Sequence, residues 1–338
     1  MNEPASIKVS QLTKVFGKRT CVDRLDLEVF PGELYALLGD NGAGKTTTIN
    51  MLTTLLKPTS GKFQIAGFDG VREPEKAKSK FAVVSQEVAL YQELTAFENL
   101  MFIAELYGLP KVDARARIEQ QLNQWDLLAR KDDYISDFSG GMQRKLSIAG
   151  ALLRSPRVLF LDEPTVGLDP GSRHHIWEIL TSLKHDGVTI FLTTHYLEEA
   201  ELLADRVGII VKGKLIAEGS IDDLRAKLNH MKSICVRMSR RFNPEEQQKS
   251  LDRLSEFAFG DVSYDELRNT FSIALNSNGH LSDTLRALTD WIELEQIPIN
   301  GISTSEPSLE EIYMSLLHVQ TPAVNNEKPA PAFEEQTR

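Results

Sequence analysis

Hydrophobic residues near the start of the chain alternate with charged ones and then merge into an unbroken apolar run. Leu25, Leu27 and Val29 are separated by acidic residues, the period-two pattern of a half-buried β-strand, and Pro31-Gly32 predicts the turn that ends it. The run from Leu34 to Leu38 is continuously apolar, which predicts a buried strand. This part of the chain is therefore expected to be rich in strands.

Strand and helix patterns alternate from position 157 onward. The predicted order is a strand Val158–Asp162, a helix after Asp169-Pro170, a strand Val188–Thr194, a helix Tyr196–Ala204 and a strand Arg206–Val211. Strands that alternate with helices predict a parallel sheet covered by helices on both faces.

A block of helices is predicted between these two regions. Thr95-Ala96-Phe97-Glu98 has the capping-box pattern, and the helix that it opens is expected to run to Tyr107 and stop at Gly108. A second helix is predicted from Asp113 to Ala129. We therefore expect a helical insert over about 88–155, within a first domain that covers residues 1–228.

A smaller α/β accessory domain is expected over residues 229–319. Its predicted strands are Ser233–Met238, Thr270–Leu275 and Ile297–Ile302, and its predicted helices are Pro244–Glu256, Leu281–Trp291 and Leu309–Leu317. From Gln320 the chain has three prolines and no periodicity, so residues 320–338 are expected to form a disordered tail.

Composition narrows the class of protein. The apolar fraction of 41% suits a globular protein, and the longest apolar runs are much shorter than a membrane span. The net charge of −10 argues against a nucleic-acid-binding protein. Cys21 and Cys235 fit no disulfide or zinc framework, and the first residues lack a signal-peptide pattern, so we expect a cytosolic protein.

The most specific motif follows the run Leu34–Leu38. Gly39–Thr46 fits the pattern G-x-x-x-x-G-K-[ST], and the residues from Thr47 to Leu56, which lack Gly and Pro, predict the helix that this motif requires. Backbone N–H groups of such a loop surround phosphate oxygens. Lys45 is expected to reach the β- and γ-phosphates and the Thr46 hydroxyl to bind Mg²⁺. A glycine-rich turn before an ordinary helix is the alternative, but every fixed position of the motif is present.

A pair of carboxylates ends a buried strand later in the chain. Val158–Asp162 is apolar up to Asp162, and Glu163 follows it. Ligands bind at the carboxyl ends of strands in such sheets, so Asp162 is placed to hold Mg²⁺ and Glu163 to polarise a water for attack on the γ-phosphate. The alternative is a solvated acidic pair at the end of a strand, which the phosphate-binding loop upstream disfavours.

A second candidate anion site lies at Ser139-Gly140-Gly141, where a helix is predicted to begin. One triphosphate does not need two such sites. The surplus suggests that this site serves the nucleotide of another molecule, although a Ser-Gly-Gly sequence alone is more often a loop.

Together these motifs resemble those of the ATP-binding cassette (ABC) ATPase family, over about residues 5–228. The matching segments are Gly39–Thr46 (Walker A), Val158–Asp162 (Walker B) with the catalytic Glu163, Phe138–Met142 (signature), Gln86 (Q-loop), Val166–Asp169 (D-loop), His195 (switch histidine) and Phe16 (the aromatic that stacks on adenine). The resemblance implies a P-loop α/β cassette: a mixed sheet core, an antiparallel β subdomain and the helical insert, here followed by the accessory domain.

The resemblance also implies a mechanism in which two cassettes pair head to tail around two ATP molecules. The residues implied to bind nucleotide are Phe16, Gly39, Asp40, Asn41, Gly42, Ala43, Gly44, Lys45, Thr46, Thr47 and Gln86; those implied to act across the dimer are Ser139, Gly140, Gly141 and Asp169; the Mg²⁺ ligands are Thr46, Gln86 and Asp162. Glu163 and His195 are the implied catalytic residues, and Gln86 is implied to join the Mg²⁺ site to a surface that contacts a membrane partner.

Three positions depart from the commoner family pattern. Phe138 replaces Leu and Met142 replaces Gln in the signature, while Phe16 replaces Tyr. Since Ser139 and both glycines are kept, phosphate contact is expected to survive. Phe16 can still stack on adenine but has no hydroxyl.

Further segments resemble the daunorubicin-exporter-like, drug-resistance branch of bacterial ABC ATPase subunits. They are Ser139–Met142, Thr165–Pro170, His195–Glu201 and, near the end of the accessory domain, Pro307–Tyr313. The resemblance implies a peripheral ATPase on the cytoplasmic face of a bacterial plasma membrane, as a homodimer or paired with a second ABC ATPase. Its partner would be a separate integral-membrane permease of the ABC-2 type, and the cargo stays open among drugs, lipids, glycans and ions.

Two other functions remain as alternatives. A soluble ABC ATPase that acts on ribosomes or DNA usually has tandem cassettes or a long coiled coil, and this sequence has neither. A non-hydrolysing regulatory cassette is disfavoured by the presence of both Glu163 and His195. No nucleic-acid partner is therefore expected.

Overall fold

The chain divides into two units between Leu224 and Arg225. The computed structural model describes residues 4–227, 233–257, 262–274 and 281–320. Each unit is built around its own sheets, and the first unit has two of them.

Residues 4–227 form ten strands and eight α-helices. The strands are β1 (Ile7–Phe16), β2 (Arg19–Val29), β3 (Leu34–Leu38), β4 (Ser60–Ile65), β5 (Phe68–Asp69), β6 (Phe81–Val84), β7 (Val158–Asp162), β8 (Thr189–Thr194), β9 (Arg206–Val211) and β10 (Lys214–Gly219). The helices are α1 (Lys45–Leu52), α2 (Pro74–Lys78), α3 (Ala96–Leu106), α4 (Lys111–Gln124), α5 (Gly140–Leu152), α6 (Pro170–His185), α7 (Leu197–Leu203) and α8 (Ile221–Lys227), the last of which spans the division between the units. Two short 3₁₀ helices cover Leu128–Arg130 and Ile135–Asp137.

The central sheet has six strands in the order β10-β9-β3-β8-β7-β6. All neighbours pair in parallel except β10, which is antiparallel to β9. Every residue of β3, β7 and β8 is buried, as expected of strands that have helices over both faces. The parallel sheet predicted from the alternating pattern is confirmed, and the carboxyl ends of its strands lie along one edge.

The second sheet is antiparallel, in the order β2-β1-β4-β5. Leu25, Leu27 and Val29 are buried in a core cluster that also contains Phe160 and Phe191 of the central sheet. The period-two alternation in β2 therefore buries one face of this sheet, as predicted.

Three α-helices lie between β6 and β7 in the chain. The capping box of α3 is confirmed: Thr95 Oγ1 accepts a hydrogen bond from the Glu98 N–H at 3.2 Å, and Glu98 Oε2 accepts one from the Thr95 N–H at 2.9 Å. The prediction that the next helix extends to Ala129 is wrong. Helix α4 ends at Gln124 because Asp126 has a left-handed backbone, with φ of 56°.

The predicted end of α1 is also wrong. This helix stops at Leu52 rather than Leu56, since Thr54 has φ of 62° and breaks the helical hydrogen-bond pattern. The start of α5, in contrast, was predicted correctly. Ser139 is the N-cap of this helix, and its side chain accepts a hydrogen bond from the Met142 N–H.

Within its described residues, the second unit has one sheet and, besides the end of α8, three helices. The strands are β11 (Ser233–Met238), β12 (Val262–Asp265), β13 (Thr270–Ala274) and β14 (Ile299–Ser305), and the helices are α9 (Pro244–Phe257), α10 (Leu281–Leu294) and α11 (Leu309–Gln320). The sheet order is β12-β13-β11-β14, and every pair is antiparallel. Gln320 closes α11 and so is not part of a tail, while residues 321–338 of the predicted tail lie outside the described residues.

Candidate active site

The phosphate-binding loop joins β3 to α1. Gly42 and Gly44 have left-handed backbones, with φ of 81° and 113°. A Cβ atom on Gly44 would lie 2.6 Å from the carbonyl oxygen of Cys21, and one on Gly39 would lie 2.4 Å from that of Ile210. Glycine is therefore required here for close packing as well as for the dihedral angles.

Lys45 is folded back over this loop. Its Nζ donates to the carbonyl oxygens of Gly39 at 2.6 Å and Asp40 at 3.2 Å, and it lies 3.0 Å from Oε1 of Glu163. The lysine is 4% exposed and Glu163 is 7% exposed, so the two charges form a buried pair. The ammonium group is thus fixed at the mouth of the loop, where an incoming phosphate would compete with the Glu163 carboxylate.

Two oxygen-bearing side chains meet at the end of β7. Oδ1 of Asp162 accepts a hydrogen bond from the Thr193 hydroxyl on β8 and lies 3.4 Å from the Thr46 hydroxyl at the start of α1. A carboxylate and a hydroxyl oxygen are hard ligands that suit Mg²⁺. The predicted Thr46–Asp162 pair is therefore brought together in a chemistry that fits this ion.

The carboxylate of Glu163 lies close to Lys45 and to His195. Its Oε1 contacts Lys45, and its Oε2 lies 3.2 Å from Nδ1 of His195. Its backbone is left-handed, with φ of 46°, a conformation that costs a non-glycine residue about 1–3 kcal/mol. Its N–H donates to the Thr193 carbonyl at 3.0 Å. The strand therefore ends in a kink that directs the carboxylate towards the phosphate-binding loop.

The His195 ring leaves one polar atom unsatisfied. Nδ1 is buried and, although it is close to Glu163, forms no hydrogen bond. A buried ring nitrogen without a partner normally acquires one, from water or from a ligand. The Oε2 atom of Glu163, 3.2 Å away, is close enough to become that partner after a small rotation of the ring.

The predicted signature segment lies at the N-terminus of α5. Ser139 Oγ accepts a hydrogen bond from the Met142 N–H at 3.3 Å. A Cβ atom on Gly141 would lie 2.4 Å from Oγ of Ser172, whereas one on Gly140 would have no atom within 4 Å. Gly141 is therefore needed for packing within the chain, and Gly140 faces open space.

Asp169, the predicted D-loop residue, lies beside this segment. Its Oδ1 accepts from the Ser172 N–H at 3.0 Å and its Oδ2 from the Ser172 hydroxyl at 2.6 Å, and these bonds lower the pKa of Asp169. Ser172 thus forms hydrogen bonds with Asp169 and occupies the space where a Cβ atom of residue 141 would lie. Within residues 4–227, no hydrogen bond or ion pair connects Ser139–Gly141 to the phosphate-binding loop.

Two predicted ligand residues stay apart from the central cluster. The Gln86 side chain is exposed and, among the described residues, forms no hydrogen bond with Thr46 or Asp162. Phe16 is 48% exposed, and Nζ of Lys14 lies 5.0 Å from its ring centroid. The ring of Phe16 is therefore accessible to a stacking partner.

Comparisons with known proteins decide the family. A family model described as "ABC transporter" matches residues 22–166. A linearmycin resistance ATP-binding protein of Bacillus subtilis is 37% identical over 311 residues, which are 92% of this chain and 97% of that protein. The chain belongs to the ABC transporter ATPase family.

Two further similarities refine this assignment. A daunorubicin/doxorubicin resistance ATP-binding protein of Streptomyces peucetius is 36% identical over 313 residues, which are 92% of each protein. A solved dimeric structure of an ATP-binding cassette in a post-hydrolysis state, bound to ADP and Pi, is 26% identical, with a TM-score of 0.58 over 64% of this chain and 98% of that one. The protein is thus an ATP-binding, ATP-hydrolysing ABC ATPase of the drug-resistance and export type, and the resemblance seen in its sequence is confirmed.

Sequence reasoning missed two side chains that organise the site of this ABC ATPase. Thr193 donates to Asp162 from the neighbouring strand, and Arg144 of α5 is 3% exposed and bonds to backbone carbonyls around the carboxylates. A signal for Arg144 existed: it lies one turn before Ile148 on the buried face of α5, where a charge needs partners. Nothing in the local sequence distinguishes Thr193.

Proposed function

We propose that this ABC ATPase drives export through a separate membrane permease of the ABC-2 type, as a head-to-tail dimer with itself or with a second ABC ATPase. The cluster of Lys45, Glu163 and His195 at the end of a complete phosphate-binding loop supports the hydrolysis that would drive export, and the two bacterial resistance relatives support the export role. A regulatory cassette would not need a buried carboxylate held at this point. We place the cassette in residues 1–228 and the accessory domain in 229–319.

The proposed reaction transfers the γ-phosphoryl group of ATP to water. The N–H groups of Gly39–Gly44 bind phosphate oxygens, and Lys45 exchanges its contact with Glu163 for the β- and γ-phosphates. Glu163 then accepts a proton from the water that attacks the γ-phosphorus, while the bond to the bridging oxygen breaks and ADP leaves with that oxygen. The His195 imidazole stabilises the transferred phosphate by a hydrogen bond.

Magnesium fits the oxygen ligands of the site. Thr46 and Asp162 would hold the ion, and Gln86 is the third proposed ligand, which would have to turn inward from its exposed position. Bound Mg²⁺ would neutralise charge on the phosphate oxygens as the γ-phosphoryl group is transferred. Phe16, whose ring is 48% exposed, is the proposed platform for adenine.

The signature segment supports the dimer. Ser139–Gly141 opens a 13-residue helix whose N-terminus favours anions, and Gly140 faces open space. The cassette similar to this chain that was solved with ADP and Pi is dimeric. We propose that Ser139, Gly140 and Gly141 contact the γ-phosphate bound by the partner cassette, and that Asp169 lies at the same interface.

A membrane partner accounts for the export role. Among the described residues, no helix is both long and apolar enough to span a bilayer. Both relatives described above are bacterial resistance proteins, which favours a bacterial exporter whose ATPase binds the cytoplasmic face of the plasma membrane. Cargo selection would then belong to the permease.

Co-sedimentation tests this proposal. We expect the full chain to pellet with bacterial membranes when an ABC-2-type permease from the same genome is co-expressed, and to stay in the supernatant without it. Lys45→Ala should pellet equally but support no export, because Lys45 serves the nucleotide rather than the partner. Pelleting that does not depend on any permease would contradict the proposal.

A further inference from the structure

Arg144 is a buried arginine, and each of its three guanidinium nitrogens donates to a backbone carbonyl. Its Nε donates to the Pro164 oxygen at 2.7 Å and its Nη2 to the Asp162 oxygen at 3.0 Å. Its Nη1 donates to the Ser85 oxygen and lies 3.4 Å from the Gln86 oxygen. One side chain of α5 therefore contacts both the end of β7 and the segment that follows β6.

The two carbonyls bonded at the end of β7 flank Glu163. Asp162 precedes it and Pro164 follows it, so the guanidinium group fixes the Asp162–Glu163 peptide plane and the plane that follows Pro164, with Glu163 held between them. This matters because Glu163 has a left-handed backbone that a free chain would rarely adopt. A guanidinium group presents its donors in a rigid planar fork, which suits it to hold two carbonyls in one geometry.

The charge of Arg144 is compensated inside the protein. Burial lowers the pKa of Arg144 to about 10, opposed by the carboxylates of Asp162 and Glu199, so the side chain stays protonated at neutral pH. Glu199 is completely buried and accepts hydrogen bonds from Thr165 Oγ1 at 2.8 Å and Trp177 Nε1 at 3.1 Å. Burial of this much charge is costly unless it is partnered, which favours a role beyond packing.

We infer that Arg144 is a positioning residue that holds Glu163 in its catalytic conformation and ties that conformation to α5 and to the backbone at Gln86. The inference rests on the proposed role of Glu163 as the base. It places no new group on the substrate, since Arg144 acts through the peptides of its neighbours. The N-terminus of α5 carries Ser139–Gly141, so the same helix that would contact a partner's nucleotide also holds the base of its own site.

Steady-state ATPase kinetics on the full chain test this inference. Lysine keeps the charge at position 144 but cannot form the fork, so Arg144→Lys should lower kcat by about 10-fold or more and leave KM and nucleotide affinity within about twofold. The matched control is Arg117→Lys, because Arg117 also donates to a backbone carbonyl, that of Leu153 at 2.8 Å, which does not adjoin Glu163. The control should keep kcat within about twofold.

A double variant distinguishes a positioning role of Arg144 on Glu163 from a structural role that does not depend on Glu163. If Arg144 acts through Glu163, adding Arg144→Lys to Glu163→Gln should cause no further loss of turnover, because the group being positioned is already absent. An equal further loss in the double variant would overturn the inference and leave the role of Glu163 intact. Wild-type turnover in Glu163→Gln alone would instead remove Glu163 as the base.

Other outcomes are equally decisive. A rise in KM with unchanged kcat, or equal effects of the Arg144 and Arg117 substitutions, would show that Arg144 is not a positioning residue. Arg144→Gln, which keeps two N–H donors without the charge, replaces the lysine variant if that protein does not fold. If neither variant folds, Arg144 is a folding residue and the inference is overturned.

Discussion

At the scale of single residues, some groups of the site can be predicted from the local sequence, and others are identified only from the folded structure. The glycine loop, Lys45 and the Asp162-Glu163 pair could be predicted because their chemistry is carried by adjacent residues. The burial of Arg144 has a signal in the sequence, but its partners could not be predicted, since Ser85 and Asp162 are 59 and 18 positions away and meet it only in the folded chain. The geometry of the Lys45–Glu163 contact likewise depends on tertiary structure.

Glu163 carries the sharpest prediction at this scale. Glu163→Gln should keep the fold and nucleotide binding, since glutamine is almost the same size, but should lower ATP turnover by about 10²-fold or more because it cannot accept the proton of the attacking water. Turnover measured under saturating MgATP, with binding measured separately by a fluorescent nucleotide, checks this. Glu163→Asp is the companion variant: it restores the carboxylate at a shorter reach and should retain more activity than the amide.

At the scale of helices and strands, the existence of elements was predicted better than their limits. The parallel strands and the capping box of α3 followed from periodicity and local hydrogen-bonding chemistry. The ends of α1 and α4 did not, because left-handed backbones at Thr54 and Asp126 end these helices and hydrophobic periodicity carries no signal for them. Strand β12 was missed because its four residues are too short for a clear alternation.

The capping box of α3 provides a quantitative test at this scale. Thr95→Ala removes the acceptor for the Glu98 N–H and should lower the free energy of unfolding by about 1 kcal/mol. Glu98→Gln is the matched control, because glutamine keeps an oxygen that can accept from the Thr95 N–H. Urea denaturation of both variants measures the difference, and equal losses would show that the box is not the stabilising feature.

At the scale of the whole molecule, the parallel sheet explains how distant segments form one site. Strands β3, β8 and β7 are consecutive in the sheet and parallel. The loop after β3, the carboxylates at the end of β7 and His195 after β8 therefore emerge at the same edge. The sequence order of the motifs predicted this meeting. Ser139–Gly141 lies at the N-terminus of α5, and within residues 4–227 no hydrogen bond or ion pair joins this segment to the phosphate-binding loop.

The central claim is that each working site takes its phosphate-binding loop from one cassette and its signature from another. Lys45→Ala disables the first part. Gly140→Glu disables the second without a clash inside the chain, because a Cβ atom at Gly140 has open space around it. In a head-to-tail dimer of the two variants, one site combines the altered loop of the Lys45→Ala chain with the altered signature of the Gly140→Glu chain. The other site combines the intact loop of the Gly140→Glu chain with the intact signature of the Lys45→Ala chain.

Mixing the two purified variants and measuring ATP turnover is the most direct test. Each variant alone should be inactive, and the mixture should recover up to about a quarter of wild-type turnover, because half of randomly formed dimers are mixed and each has one intact site. Wild-type turnover in Gly140→Glu alone, or a mixture that stays inactive while mixed dimers form, would contradict the composite site.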